Sequence, residues 1–299
     1  MKFYAGLDIG GTKTAGAIYD SDDRELAQVS LPTPGEYPAF LETCRVILAQ
    51  LGQVGKADTL GACAPYADNF VCSNLPFLAG KDLKGDLAKL FGHPVPLGND
   101  ANCAALAEAL AGPGKGYSSV FGLIMGTGVG GGFVLDGKIV GGANGLCGEI
   151  GHLPLPCRED SDGPLGVACG CGKKDCIECF ISGSGLSRLY YTLTKREAEA
   201  KDIGALAGQG DQDALRVLDR FYTTVAKAMV VILHTFDPEI IIVSGGLNGL
   251  PGLYTAVPKR WGSYGISKTP KTKFVPASFG ALAGLRGAAV LGRKEAFEP

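Results

Sequence analysis

The chain has 299 residues, with 28 lysines and arginines against 30 aspartates and glutamates, a formal net charge of −2, and only 19% charged residues overall. No long basic run is present, so the electrostatic footprint of a nucleic-acid binder is missing, and Lys227 and His234 interrupt the mostly apolar stretch 225–236, which excludes a membrane span there. At this length two lobes with a cleft between them are expected, and the 46 glycines mark tight turns and close backbone approaches rather than disorder.

Residues 2–9 alternate and end in glycines, 14–20 form a second strand and 24–31 a third, the last two joined by the polar turn Ser21-Asp22-Asp23. Phe40, Leu41, Cys44, Ile47, Leu48 and Leu51 recur at helical spacing, which predicts an amphipathic helix over 37–52 with Gly52 as its stop. A strand at 58–64, a helix near 82–91 and a short strand at 95–98 follow, and Asn99-Asp100 leads into an alanine-rich helix over 101–111. Mixed α/β structure is therefore expected.

The run Ala111-Gly112-Pro113-Gly114-Lys115-Gly116 breaks all regular structure and bounds a first lobe at 1–116. The second lobe, 117–279, repeats the opening plan with strands at 118–125 and 130–135, the turn Asp136-Gly137 and another short strand. Leu215, Leu218, Tyr222, Val225, Met229, Ile232 and Leu233 mark a long helix, followed by the strand Glu239 to Val243 and the loop Ser244-Gly245-Gly246. A helix over about 280–299 is expected to complete the first lobe. The apolar content ahead of Asp8 is too short for a signal peptide, so a cytoplasmic location is expected, with reduced thiols.

Two glycine loops carry the first chemical signal. In Asp8-Ile9-Gly10-Gly11-Thr12-Lys13 the glycines let backbone N–H groups approach a phosphate, while Thr12 and Lys13 add a hydroxyl and a cation. The spacing is neither a P-loop nor a dinucleotide fingerprint, and alone such a turn is usually only a turn. The stretch Gly126-Thr127-Gly128-Val129-Gly130-Gly131-Gly132 puts glycine at five of seven positions, more than a tight hairpin needs, which points to a ligand against the backbone. Asp8, at the end of the first strand, suits Mg²⁺ held through water, because that ion keeps several waters and takes phosphate oxygens; otherwise it caps the turn.

Phosphoryl transfer asks a protein for positioning, charge neutralisation and a proton acceptor. Asp100 sits where a strand ends and a helix begins, a place where ligands collect in open α/β sheets, although an Asp there also reads as a helix N-cap.

His152, Cys169, Cys171 and Cys176 offer one imidazole and three thiols able to close a tetrahedral site around zinc, with all four positions filled and hence a structural ion. Cys157 and Cys179 are competitors, and Cys176 with Cys179 also reads as a redox pair. A metal-fixed loop would aim Glu149 and Glu178 into one place, where carboxylates accept sugar hydroxyls; otherwise they are surface glutamates.

Together, Asp8 to Lys13, Asn99-Asp100-Ala101-Asn102, the 126–132 stretch, Gly148-Glu149-Ile150-Gly151-His152 and the Cys169-to-Glu178 run resemble the ROK family of sugar kinases and repressors, in family order, with Phe180-Ile181-Ser182-Gly183 and Asp237-Pro238-Glu239 through Ser244-Gly245-Gly246-Leu247 extending the likeness over nearly the whole chain. The resemblance implies a two-lobed actin-like ATPase (ribonuclease H-like) fold with an inter-lobe cleft, usually in homodimers. It implies ATP with Mg²⁺ against 8–13, 126–132 and Gly245-Gly246, and one structural zinc on His152, Cys169, Cys171 and Cys176. It further implies a sugar contacted by Asn74, Asn99, Asp100, Glu149, His152 and Glu178, with Asp100 as base. Repressors in the family carry an extra N-terminal helix-turn-helix region; Asp8 comes almost at once here, so no DNA-binding head is expected.

The pattern looks most like N-acetylglucosamine kinases, with the related fructokinases and allose kinase close behind. Tyr66 after Pro65, Ser244 in place of a usual glycine and Pro276-Ala277-Ser278-Phe279 depart from it, which leaves the 64–74 loop the least transferable part. The rival from another class is a non-catalytic sugar sensor on the same fold.

Overall fold

The computed structural model describes residues 2–65 and 75–297. Its first half builds β1 (Phe3–Ile9), β2 (Lys13–Asp20), β3 (Glu25–Pro32), β4 (Thr59–Ala64) and β5 (Leu97–Asn99). They form one sheet in the order β3-β2-β1-β4-β5. β1, β2 and β3 pair antiparallel as a meander, while β4 and β5 add in parallel beyond β1. Burial follows from place in the sheet: the inner strand β4 is buried at every residue, whereas edge strand β3 buries none fully.

The second half repeats this plan. β6 (Ser119–Met125), β7 (Val129–Leu135), β8 (Lys138–Ile139), β9 (Ile240–Ser244) and β10 (Lys273–Pro276) run in the order β10-β9-β6-β7-β8, with β6, β7 and β8 antiparallel and β9 and β10 parallel beyond β6. Strand β10 falls on the Pro276 segment that the sequence marks only as a departure from the family; it is a short edge strand.

On the first sheet, α1 (Tyr37–Leu51) buries Phe40, Cys44, Ile47 and Leu51, the apolar stripe expected from their spacing, and α2 (Leu83–Phe91) follows. Helix α3 (Asp100–Ala111) precedes the break at 111–116, yet it packs on β6 and β7 of the second sheet. Its shallow alanine surface permits this: a Cβ on Gly132 of β7 would come within 2.8 Å of the Ala101 carbonyl oxygen. Helix α10 (Ala283–Phe297) lies on β1 and β4 and crosses α3 closely, since a Cβ on Gly287 would sit 1.7 Å from the Cys103 carbonyl oxygen. These two helices bring the sheets together and fix what faces what between them.

Between β8 and β9 the chain makes a long excursion. It contains the short helix α4 (Ile177–Ile181), then α5 (Gly183–Thr194), α6 (Ala200–Gly208) and α7 (Gln212–Thr235); α8 (Leu253–Ala256) and α9 (Trp261–Tyr264) follow β9. The fully buried Lys227 of α7 reaches Asp162 at 2.8 Å and Glu159 at 3.2 Å, and Thr224 donates to Asp162 at 2.8 Å, which fastens the segment ahead of α4 to α7 within the excursion. No helix among the described residues is long and apolar enough to cross a membrane.

Candidate active site

The first hairpin turn is closed within its own sheet. The Gly10 N–H donates to the Lys13 carbonyl at 3.0 Å, and Thr33, just past β3, gives its N–H to the Thr12 carbonyl and its Oγ1 hydroxyl to the Gly10 carbonyl. Asp8 lies opposite Cys63 in the parallel β1/β4 pair, and the Cys63 thiol donates to Asp8 Oδ1 at 3.4 Å. Burial pushes the Asp8 carboxyl above the usual carboxylate range; the Cys63 thiol opposes this, and the nearby Asp100 carboxylate adds to it. Cys63 is a site residue that sequence reasoning missed, because a cysteine in a small apolar strand reads as packing.

Asn99, the last residue of β5, is the N-cap of α3: its Oδ1 accepts the N–H groups of Ala101 at 2.9 Å and Asn102 at 3.2 Å. The capping role considered for Asp100 therefore belongs to Asn99, whose amide nitrogen is left to donate. Asp100 is the first helical residue, and its Oδ1 accepts the Ala101 N–H at 2.8 Å. Burial raises its carboxyl pKa, partly offset by backbone donors at the positive end of the helix.

Glu149 extends the acidic group. Burial raises its pKa, His152 opposes the shift, and Asp100 and Glu178 both lie close enough to disfavour its charge further. Its Oε2 is 3.8 Å from His152 Nε2. Asp8, Asp100, Glu149 and Glu178 thus form a file in which each carboxylate senses the next. Carboxylates crowded this way with little fixed positive charge favour hydroxyl donors and cations.

The second glycine stretch divides in two. Strand β7 begins at Val129, so Gly130, Gly131 and Gly132 lie in the sheet opposite Ile124, Leu123 and Gly122. Protein packing accounts for two of them: a Cβ would strike Phe121 and the Gly148 carbonyl at Gly131, and the α3 backbone at Gly132. Close packing is thus reason enough for glycine at these two positions. Gly126 and Gly246 differ, because a Cβ at either would meet no described protein atom within 4 Å. Gly245 adopts φ +85°, and the Leu247 N–H donates to the Met125 carbonyl, which sets Gly245-Gly246 beside Gly126-Thr127-Gly128.

His152, Cys169, Cys171 and Cys176 meet with their donor atoms all within 4.8 Å of one another. Cys171 and Cys176 sulfurs are 3.7 Å apart, and Cys169 Sγ is 3.3 Å from His152 Nδ1. Tetrahedral coordination with metal–sulfur bonds near 2.3 Å requires sulfurs roughly 3.8 Å apart, so the donor set fits such an ion. Cys157 and Cys179 stand outside this group. Glu178, in the first turn of α4, donates nothing to it but lies against it: Oε1 accepts the Cys169 thiol at 3.3 Å and Oε2 the Val129 N–H at 3.0 Å. Asn74 lies outside the described residues.

A family model described as the ROK family matches residues 4–295. The chain belongs to the ROK family. An N-acetylgalactosamine kinase, AgaK, from Shewanella sp. (strain ANA-3) is 38% identical, over 97% of this chain and 96% of that protein. An N-acetyl-D-glucosamine kinase from Yersinia enterocolitica is 34% identical, over 96% and 98%. The crystal structure of a ROK hexokinase from Thermus thermophilus superposes with a TM-score of 0.84 at 31% identity, covering 99% of this chain and all of that one. The paired sheets of this ROK protein are accordingly the two halves of the actin-like ATPase fold.

Proposed function

We propose that this ROK protein transfers the γ-phosphoryl group of ATP to the 6-hydroxyl of an N-acetylhexosamine, N-acetyl-D-glucosamine foremost, with Asp100 as base. The observation that carries the reading is Asp100 itself. Its neighbour Asn99 caps the helix, so the Asp100 carboxylate is left at the start of α3, within electrostatic reach of both Asp8 and Glu149.

A buried carboxylate with a raised pKa is a better proton acceptor than a solvated one. Asp100 takes the hydroxyl proton as the oxygen attacks. The neighbouring Glu149 and Glu178 accept from the remaining sugar hydroxyls, and Asn99 donates through its amide and His152 through Nε2–H. The Gly10 to Lys13 turn and the Gly126-Thr127-Gly128 and Gly245-Gly246 loops receive the phosphates through backbone N–H groups. Mg²⁺ bound with ATP neutralises phosphate charge, and Asp8 is the carboxylate suited to hold it through water.

Zinc is the ion that three thiolates and one imidazole suit best. With all four positions taken by the chain, no site is left for substrate, so the ion's part is to fix the loop and hold His152 through Nδ1 with Nε2 turned toward Glu149. We place the protein in the cytoplasm as a homodimer, without nucleic-acid partners.

Two N-acetylhexosamine kinases matched over nearly their full length support the sugar class. Their named sugars are epimers at C4, and the more identical relative favours N-acetylgalactosamine as a second reading. Sugar-dependent ADP release decides the matter across N-acetylglucosamine, N-acetylgalactosamine, N-acetylmannosamine, fructose, mannose, glucose and allose. The highest kcat/KM is expected for an N-acetylhexosamine; a panel in which no sugar stimulates release would leave the sensor reading standing instead.

A further inference from the structure

We propose that Glu178 is a positioning residue for the second glycine loop, so that the metal-supported helix α4 shapes the phosphate site as well as the sugar site. The inference rests on the reading of Gly126-Thr127-Gly128 as a phosphate loop. Three contacts carry it. Glu178 Oε2 accepts the Val129 N–H at 3.0 Å, where the loop turns into β7. A Cβ on Gly128 would come within 2.4 Å of that same oxygen, so the glycine is what admits the carboxylate. Just past the other end of α4, the Gly183 N–H donates to the Gly126 carbonyl at 2.8 Å.

The short segment 178–183 therefore grips the loop at both ends, at 126 and at 129. Its own support comes from the metal cluster: Cys176, one of the four metal-donor candidates, is the N-cap residue of α4, so the helix starts on that cluster. A single carboxylate stands between thiol donors and the backbone of the loop. A residue that served only to bind sugar would have no need of the Val129 N–H, and its loss would leave nucleotide binding untouched when sugar is absent.

Three full-length variants carrying their metal separate these roles. Glu178→Gln keeps an acceptor for the Val129 N–H, Glu178→Asp keeps the charge but is one methylene short, and Glu178→Ala keeps neither. Without sugar, amide hydrogen exchange over residues 126–131 is expected to accelerate in the Asp and Ala variants, and their Kd for Mg²⁺ with the non-hydrolysable analogue AMP-PNP to weaken about tenfold, the upper end expected for one lost hydrogen bond. The Gln variant is expected within about twofold of the parent in both measurements, since its amide oxygen takes the same bond. Parent-like exchange and Kd in the Asp and Ala variants, or a Gln variant as impaired as Ala, overturns the proposal. Where Ala is too unstable to purify, the Asp and Gln pair decides alone. A parent protein that binds no nucleotide would sink the phosphate reading of the loop, whereas the exchange comparison still reports whether Glu178 holds it.

Discussion

The two glycine hairpins occupy equivalent places in two sheets of the same strand order, β1 to β2 in one and β6 to β7 in the other, but they are held by different means. The first is tied within its own meander, by Thr33 at the end of β3. The second has no such strand at hand, because β8 is only two residues long, and it is held by Glu178 and Gly183 from the excursion that carries the metal donors. Duplicated topology thus leaves one loop self-sufficient and makes the other depend on an added element, which also bears residues proposed to face the sugar. On that proposed reading, the asymmetry puts acceptor and donor substrates under one structural support.

The sharpest way to break the comparison is Cys171→Ser, which removes a metal donor while touching neither hairpin. Metal analysis should show the ion lost. The unfolding midpoint should fall by roughly 10 °C, taking about 4 kcal/mol of lost binding free energy at roughly 2–4 °C per kcal/mol. Amide exchange should accelerate over 126–131 and stay unchanged over 10–13; equal loosening of both hairpins would erase the distinction.

A smaller effect is expected at Asp8. Its carboxyl pKa is raised on folding, so the native state holds the proton more tightly than the unfolded chain, and stability is lost as pH rises from the ordinary carboxylate value of about 3.9 through the raised one. Asp8→Asn should therefore stabilise the protein at pH 7 by about 1 kcal/mol, with the gain vanishing below the ordinary carboxylate value, as thermal melts across pH would show. A gain independent of pH would mean that ionisation is not the cause.

Thr33→Val is the mildest test. It removes the hydroxyl that donates to Gly10 and accepts from Thr14, at a cost of about 0.5–1 kcal/mol, and leaves the backbone tie to Thr12 in place. Chemical denaturation should register that loss without any change in metal content.

Strands and hairpins were legible because period-two patterning and glycine turns are local signals; β1, β2, β6 and β7 fall within a residue or two of their expected bounds. The meeting of His152, Cys169, Cys171 and Cys176 was legible for a similar reason, since their chemistry is unusual and three of the four lie within eight residues of one another. Contacts made at a distance were not legible. Nothing local says that α3, early in the chain, packs on the later sheet, or that glycine at 131 and 132 admits Gly148 and α3. The same holds for Cys63 against Asp8 and for Glu108, whose buried carboxylate accepts the Ser278 and Phe279 N–H groups ahead of α10. Helices α5 and α6 went unread because their apolar positions are shared with polar and small residues over short spans.

The central claim is that Asp100 is the base, freed from capping by Asn99. The most direct measurement is turnover of Asp100→Asn alongside its binding constants. With sugar and nucleotide Kd values within about threefold of the parent, kcat should fall by about 10²–10⁴, the usual range for a lost general base. A variant that binds both substrates and turns over at the parent rate would contradict it.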